Sequence, residues 1–132
     1  MTDCVKYAYT QAMHTVAETH AFRRQAQAAG MTEAEIERLI LRVAADPAAG
    51  VVIPDTGGCR KLRVAGRGKG KSGGFRTITF YSGRQMPVFL LAVFSKGERA
   101  DLTPTERNGL AALSRAIAAE YRSRIVKART AP

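Results

Sequence analysis

Tryptophan is absent from this 132-residue chain, and cysteine and histidine occur twice each. Cys4 and Cys59 have neither zinc-finger spacing nor a CxxC pattern, so they read as free thiols of a reducing compartment. His14 and His20 both fall near the N-terminus, where the first reads as a strand-surface residue and the second as a helix-start residue. The remainder of the chain has no imidazole for acid–base work. No apolar run approaches the ~20 residues that span a bilayer, and MTDCVKYAYTQAM lacks the apolar centre of a signal peptide. A cytoplasmic protein with no membrane partner is expected. Acid is missing too: no Asp or Glu lies between Asp55 and Glu98. That stretch has no carboxylate cluster for a divalent cation, so any phosphate chemistry in it is expected to need neither metal nor other cofactor.

What fills the acid-free zone is base. Arg60, Lys61, Arg63, Arg67, Lys69, Lys71, Arg76, Arg84 and Lys96 supply nine of the formal net charge of +10, whereas residues 1–55 sum to −2 and residues 98–132 to +3. Seven of the nine crowd into Gly58–Arg76, GCRKLRVAGRGKGKSGGFR, among six glycines. Charge this local marks a site rather than a generally basic surface, and a polyanion, nucleic acid first, is the expected partner.

The chain length suits one domain with a sizeable core. Residues 1–12 read as an N-terminal extension for which disorder is expected, 13–127 as the domain and 128–132 as a tail, with Met13 an alternative start to Met1. Thr15–Ala17 is expected as a short strand, and Thr19–Ala29 as a helix closed by Gly30. Thr32-Glu33-Ala34-Glu35 is a capping box. Ile36, Leu39, Ile40, Val43 and Ala44 follow at helical spacing until Asp46-Pro47 stops the helix. A turn-rich linker, DPAAG to PDTGG, precedes Lys61-Leu62-Arg63-Val64. Its period of two puts both basic residues on one strand face. A flexible glycine-rich hairpin loop (65–74), a second strand (Phe75–Tyr81) and an apolar strand (Val88–Phe94) ending near Lys96 complete the sheet. Thr103-Pro104-Thr105-Glu106 is another capping box. It opens a helix whose apolar face is Leu110, Leu113, Ile117, Tyr121 and Ile125, out to about Lys127.

Two phosphate-loop patterns fail on context. Gly70-Lys71-Ser72 ends a Walker-like string in which Ala65 stands where the first glycine belongs, and GxGxxG over residues 68–73 leads into a strand rather than a helix. The loop residues Arg67, Lys69 and Lys71 are instead suited to neutralising RNA phosphates, with Arg60 beside them. Arg76 and Arg63 could stabilise a pentacoordinate phosphate, and Lys61 and Lys96 could move a proton, with Tyr81 in reserve. Phe75 and Tyr81 are candidates for base stacking, although strand aromatics are more often core.

The string GGCRKLRVAGRGKGKSGGFRTITFYSG, followed by VFLLAVFSKGERADLTPTERNGL, resembles the RelE/HigB group of bacterial type II toxins over roughly Met13–Leu113. The resemblance implies a compact α/β (α+β) fold, with N-terminal helices packed on a mostly antiparallel four-stranded sheet and a C-terminal helix. It implies a ribosome-dependent endoribonuclease that cleaves mRNA in the A site by 2′-hydroxyl attack. By residue, it implies Arg76 as the essential arginine, Lys61 and Arg63 as the paired basic residues before it, and Lys96 near the basic position after the last strand. Arg99 is a further candidate for RNA contact. Where some members carry a tyrosine this chain has Thr103, which leaves the proton-transfer group open. The implied partners are the ribosome, mRNA and a cognate helix-turn-helix (HigA-like) antitoxin that reaches operator DNA itself. A ParE-like gyrase inhibitor and a non-catalytic nucleic-acid-binding protein are the alternatives.

Overall fold

The computed structural model describes residues 14–66, 74–95 and 102–130. Strand β1 (Val16–Glu18) leads into helices α1 (His20–Ala29) and α2 (Glu33–Ala45). Strands β2 (Val51–Val52), β3 (Cys59–Val64), β4 (Phe75–Phe80) and β5 (Val88–Ser95) follow, and then helix α3 (Pro104–Thr130). The sheet order is β1-β5-β4-β3-β2, antiparallel except where β1 pairs with β5. The α+β class and helix placement are those expected, but the sheet has five strands rather than four. The extra strand, β2, sets Val51 against Lys61 and Val52 against Arg60. Two exposed residues carry no readable period, and they are in strand because they pair part of the β3 edge. Helix α3 also continues past the Lys127 expected for its end.

Local chemistry sets the helix ends. The Thr19 hydroxyl accepts from the Phe22 amide at 3.1 Å and donates to the Leu90 carbonyl at 2.9 Å, capping α1 and tying it to β5. Gly30, at φ 85°, closes α1 in the left-handed region. Both capping boxes form as the sequence predicts. The Glu35 amide donates to the Thr32 hydroxyl and the Thr32 amide to the Glu35 carboxylate. Thr103 and Glu106 repeat the exchange at the start of α3.

The sheet is covered on both faces. On one, Phe22 and Ala26 of α1 and Ile36, Leu39, Ile40 and Val43 of α2 pack on Val16, Leu62, Phe75, Val88, Leu90 and Val93. On the other, α3 sets Leu110, Ile117, Ala118 and Tyr121 against Cys59, Ile78, Phe80, Phe89, Leu91 and Phe94. A register shift between Ile78 and Thr79 pairs them with Ala92 and Leu90, leaving Leu91 as an extra residue in β5. This bulge swaps the facing parity midway along the strand, and the run is apolar at both parities because each face of β5 lies under a helical layer.

Leu113 and Phe75 depart from what the sequence leads one to expect. Leu113 is 43% exposed, because α3 turns small residues, Ala111 and Ser114, toward the sheet. The Ser114 hydroxyl consequently comes within 3.0 Å of the buried Cys59 sulfur. Phe75 is buried among the α1 and α2 side chains, so it cannot stack on a base.

Candidate functional site

Strand alternation assigns the basic residues to faces. In β3, Leu62 points into the core beneath α1 and α2, and Cys59 into the core beneath α3. Lys61 and Arg63 share the parity of Cys59, and hence its face. In β4, Ile78 and Phe80 lie beneath α3, and Arg76 shares their parity. The described part of α3 packs over the Cys59, Ile78 and Phe80 end of this face. At the other end Arg63 is exposed and Lys61 and Arg76 are half-buried. Register places Arg63 directly opposite Arg76, and Lys61 opposite Ile78. Cross-strand neighbours have Cβ atoms about 5 Å apart, so two guanidinium groups rise side by side with a lysine one step behind. Like-charge pairing costs the sheet about 0.2–1 kcal/mol and suits a face that receives an anion.

Lys61, Arg63 and Arg76 open onto one depression of about 370 Å³, whose lining also includes Arg42, Gly50, Val51 and Leu62. The depression wraps the β3 edge because β2 pairs no further along β3 than Lys61. The Arg63 carbonyl at that edge accepts from Arg42 Nη1 at 3.2 Å, which satisfies the backbone group and holds a fourth cation at the rim. Gly50 has φ 99°, and a Cβ there would collide with the Lys61 carbonyl oxygen. Its lack of a side chain lets the α2–β2 connection close on β3.

Sequence reasoning missed Arg42. It sits in the last turn of α2, where a basic residue already has a reason to be, near the negative end of the helix dipole. No one-dimensional pattern ties that turn to the β3 edge. Arg60, expected beside the others, is apart from them. It lies on the opposite parity, its guanidinium 6.0 Å from the Tyr81 ring centroid. Tyr81 in turn meets His14 edge-on at 5.4 Å and packs against the α1–α2 core. It follows the far end of β4, about 16 Å from Arg76 at ~3.3 Å per residue. That distance takes it out of the chemistry proposed for Arg76.

Arg67, Lys69, Lys71, Lys96 and Arg99, and the extension 1–12, lie outside the described residues. Val64 pairs with Phe75, and Phe75 with Ser95, so β3 ends, β4 begins and β5 ends at the Arg76 end of the sheet. Among the described residues, no group of three or more His, Cys, Asp and Glu is placed to hold a metal ion, and no helix is long and apolar enough to cross a membrane.

Fold and site together define a small α+β protein with an open basic depression at one end of a doubly covered sheet. Residues 14–131 match the family model described as the RelE toxin of the RelE/RelB toxin–antitoxin system. The chain belongs to the RelE toxin family. It is a toxin of a type II toxin–antitoxin system, and membership implies a cognate antitoxin.

Proposed function

We propose that this toxin is a ribosome-dependent, metal-independent mRNA endoribonuclease acting at the depression of Lys61, Arg63 and Arg76. The observation that carries the reading is the convergence of those three cations on one depression, at the end of the sheet face that the described part of α3 leaves open. RNA contains its own nucleophile. The 2′-hydroxyl attacks the adjacent phosphorus in line, the bond to the 5′ oxygen breaks, and the products are a 2′,3′-cyclic phosphate and a free 5′-hydroxyl. The extra negative charge of the pentacoordinate phosphate is held by Arg76 and Arg63, whose planar, permanently charged forks fit paired phosphate oxygens. Lys61 lies on the same face as a proton donor to the departing 5′ oxygen. The 2′ proton passes to a group of the nucleotide or the ribosome, which also aligns the message for in-line attack. Arg67, Lys69, Lys71 and Arg99 add phosphate contacts along the RNA, Lys96 completes the cationic set, and a helix-turn-helix antitoxin neutralises the toxin.

Expression of the toxin and its Arg76→Ala variant in growing cells, with transcript ends mapped in both, tests the reading. Growth arrest and codon-linked cuts are expected only with the unaltered toxin. Arrest that persists in the variant without such cuts, with inhibition of purified gyrase in a supercoiling assay, overturns it.

A further inference from the structure

The other end of the sheet is basic as well. The β4–β5 connection carries Arg84, and the exposed Arg122 of α3 approaches the same connection. Two depressions of about 230 and 260 Å³ share Arg84, Gln85 and Met86. His14 and Tyr121 also line the first, and Ser82 and Arg122 the second. Among the described residues, no acidic side chain lines either.

The floor beneath these arginines is held in place. His14 Nε2 donates to the Met86 carbonyl at 2.5 Å and its amide donates to the Ala44 carbonyl at 2.8 Å. The Met86 amide donates to the Gly83 carbonyl at 3.2 Å, closing the turn that presents Arg84. Tyr121 rests edge-on against Phe89 at 6.2 Å, fixing the turn of α3 from which Arg122 projects. Two guanidinium groups on a firm base, from two different elements, have the form of a phosphate grip. Protein partners anchor through buried apolar or aromatic hot spots; here, among the described residues, Met86 and Pro87 are buried and the Tyr121 ring is half-buried and already packed on Phe89. A lining that joins two arginines from different elements suits nucleic acid better.

We propose that this end is a second RNA site, at which Arg84 and Arg122 hold the phosphodiester backbone while the Lys61–Arg63–Arg76 depression holds the phosphate to be cut. The inference rests on the endoribonuclease reading and adds a footing remote from the reaction, so its loss weakens binding without altering the chemical step.

The test measures binding of the full-length toxin to a short single-stranded RNA and to small ribosomal subunits over a salt series. Unaltered toxin, R84Q/R122Q, R84K/R122K and Arg76→Ala are compared. For two phosphate contacts, R84Q/R122Q lowers the slope of log affinity against log salt by about 1.5–2, and R84K/R122K restores most of it. A drop with the oligonucleotide assigns the site to message, and a drop with subunits alone assigns it to ribosomal RNA; either supports the proposal. Cutting at saturating ribosome stays at the unaltered rate. An unchanged slope in R84Q/R122Q, with Arg76-dependent cutting intact, overturns this inference and leaves the endoribonuclease reading standing. Loss of antitoxin affinity with RNA affinity retained overturns it in favour of an acidic protein surface. A reduced slope in a toxin that never cuts supports the second site and sinks only the catalytic reading.

Discussion

Arg63 and Arg76 stand directly opposite each other on β3 and β4. Neither β-propensity nor packing favours two like charges at facing positions, and the arrangement lowers sheet stability by about 0.2–1 kcal/mol. Replacing one by a strand-forming neutral residue should therefore separate stability from activity. Arg63→Thr is expected to raise unfolding stability in a urea titration by up to about 1 kcal/mol while lowering RNA cleavage. A less stable variant would mean that the arginine pair is supported by contacts beyond those described.

Gly74 and Gly83 both have positive φ, at 121° and 131°, but only Gly74 is crowded. A Cβ there would meet the Val64 carbonyl oxygen at 2.6 Å, whereas nothing lies within 4 Å at Gly83. Alanine at either position carries backbone strain of about 1–3 kcal/mol. At Gly74 the collision adds to it and shifts the start of β4, two residues before Arg76. Gly74→Ala is expected to be the less stable in thermal melts and to lose cleavage out of proportion, with Gly83→Ala close to normal activity.

The Cys59 thiol is pushed above its ordinary value by burial, against the opposing effect of its hydrogen bonds to Ser114 and Thr56. The folded state therefore holds the thiol proton more tightly than the unfolded state does. This contribution to stability is fully present below the unfolded thiol value near 9 and is lost as pH rises through the folded one. Stability of the unaltered toxin should fall more steeply between about pH 8 and 10 than that of Cys59→Ala. Parallel curves would refute the assignment. Thiol reagents at neutral pH should label this residue only after unfolding.

Arg23 bridges Glu18 at 2.7 Å and Glu33 at 2.6 Å, and Glu18 is only 5% exposed. Removing the guanidinium leaves a carboxylate buried without its partner, so Arg23→Ala is expected to cost about 3 kcal/mol in chemical denaturation. Glu33→Ala, at the exposed end of the bridge, should cost less than about 1 kcal/mol. Equal losses would show that the burial of Glu18 is not what matters.

Elements governed by local rules were legible in the sequence. Thr32-Glu35 and Thr103-Glu106 announce their helices because a capping box is written in four consecutive residues. The alternation Lys61-Leu62-Arg63-Val64 puts the two cations on one face before any neighbour is known. What escaped depends on contacts distant in sequence. Strand β2 exists only because β3 lies beside it, and Arg42 becomes part of the depression only because α2 ends over the Arg63 carbonyl. Spacing puts Leu113 on the buried stripe, but a helix packing through Ala111 and Ser114 rotates by part of a turn. Phe75 and Tyr81 have the composition of base platforms, but both pack against the α1–α2 core.

The most direct test of the catalytic assignment is cleavage on purified ribosomes programmed with a defined mRNA carrying an empty A site, comparing unaltered toxin with Arg76→Ala at equal occupancy. The account predicts one cut within the A-site codon, with a 5′-hydroxyl on the downstream fragment, and a rate at least a thousandfold lower in the variant, an effect on the order of 4 kcal/mol at the transition state. No cut by the unaltered toxin, or equal cutting by the variant, contradicts it.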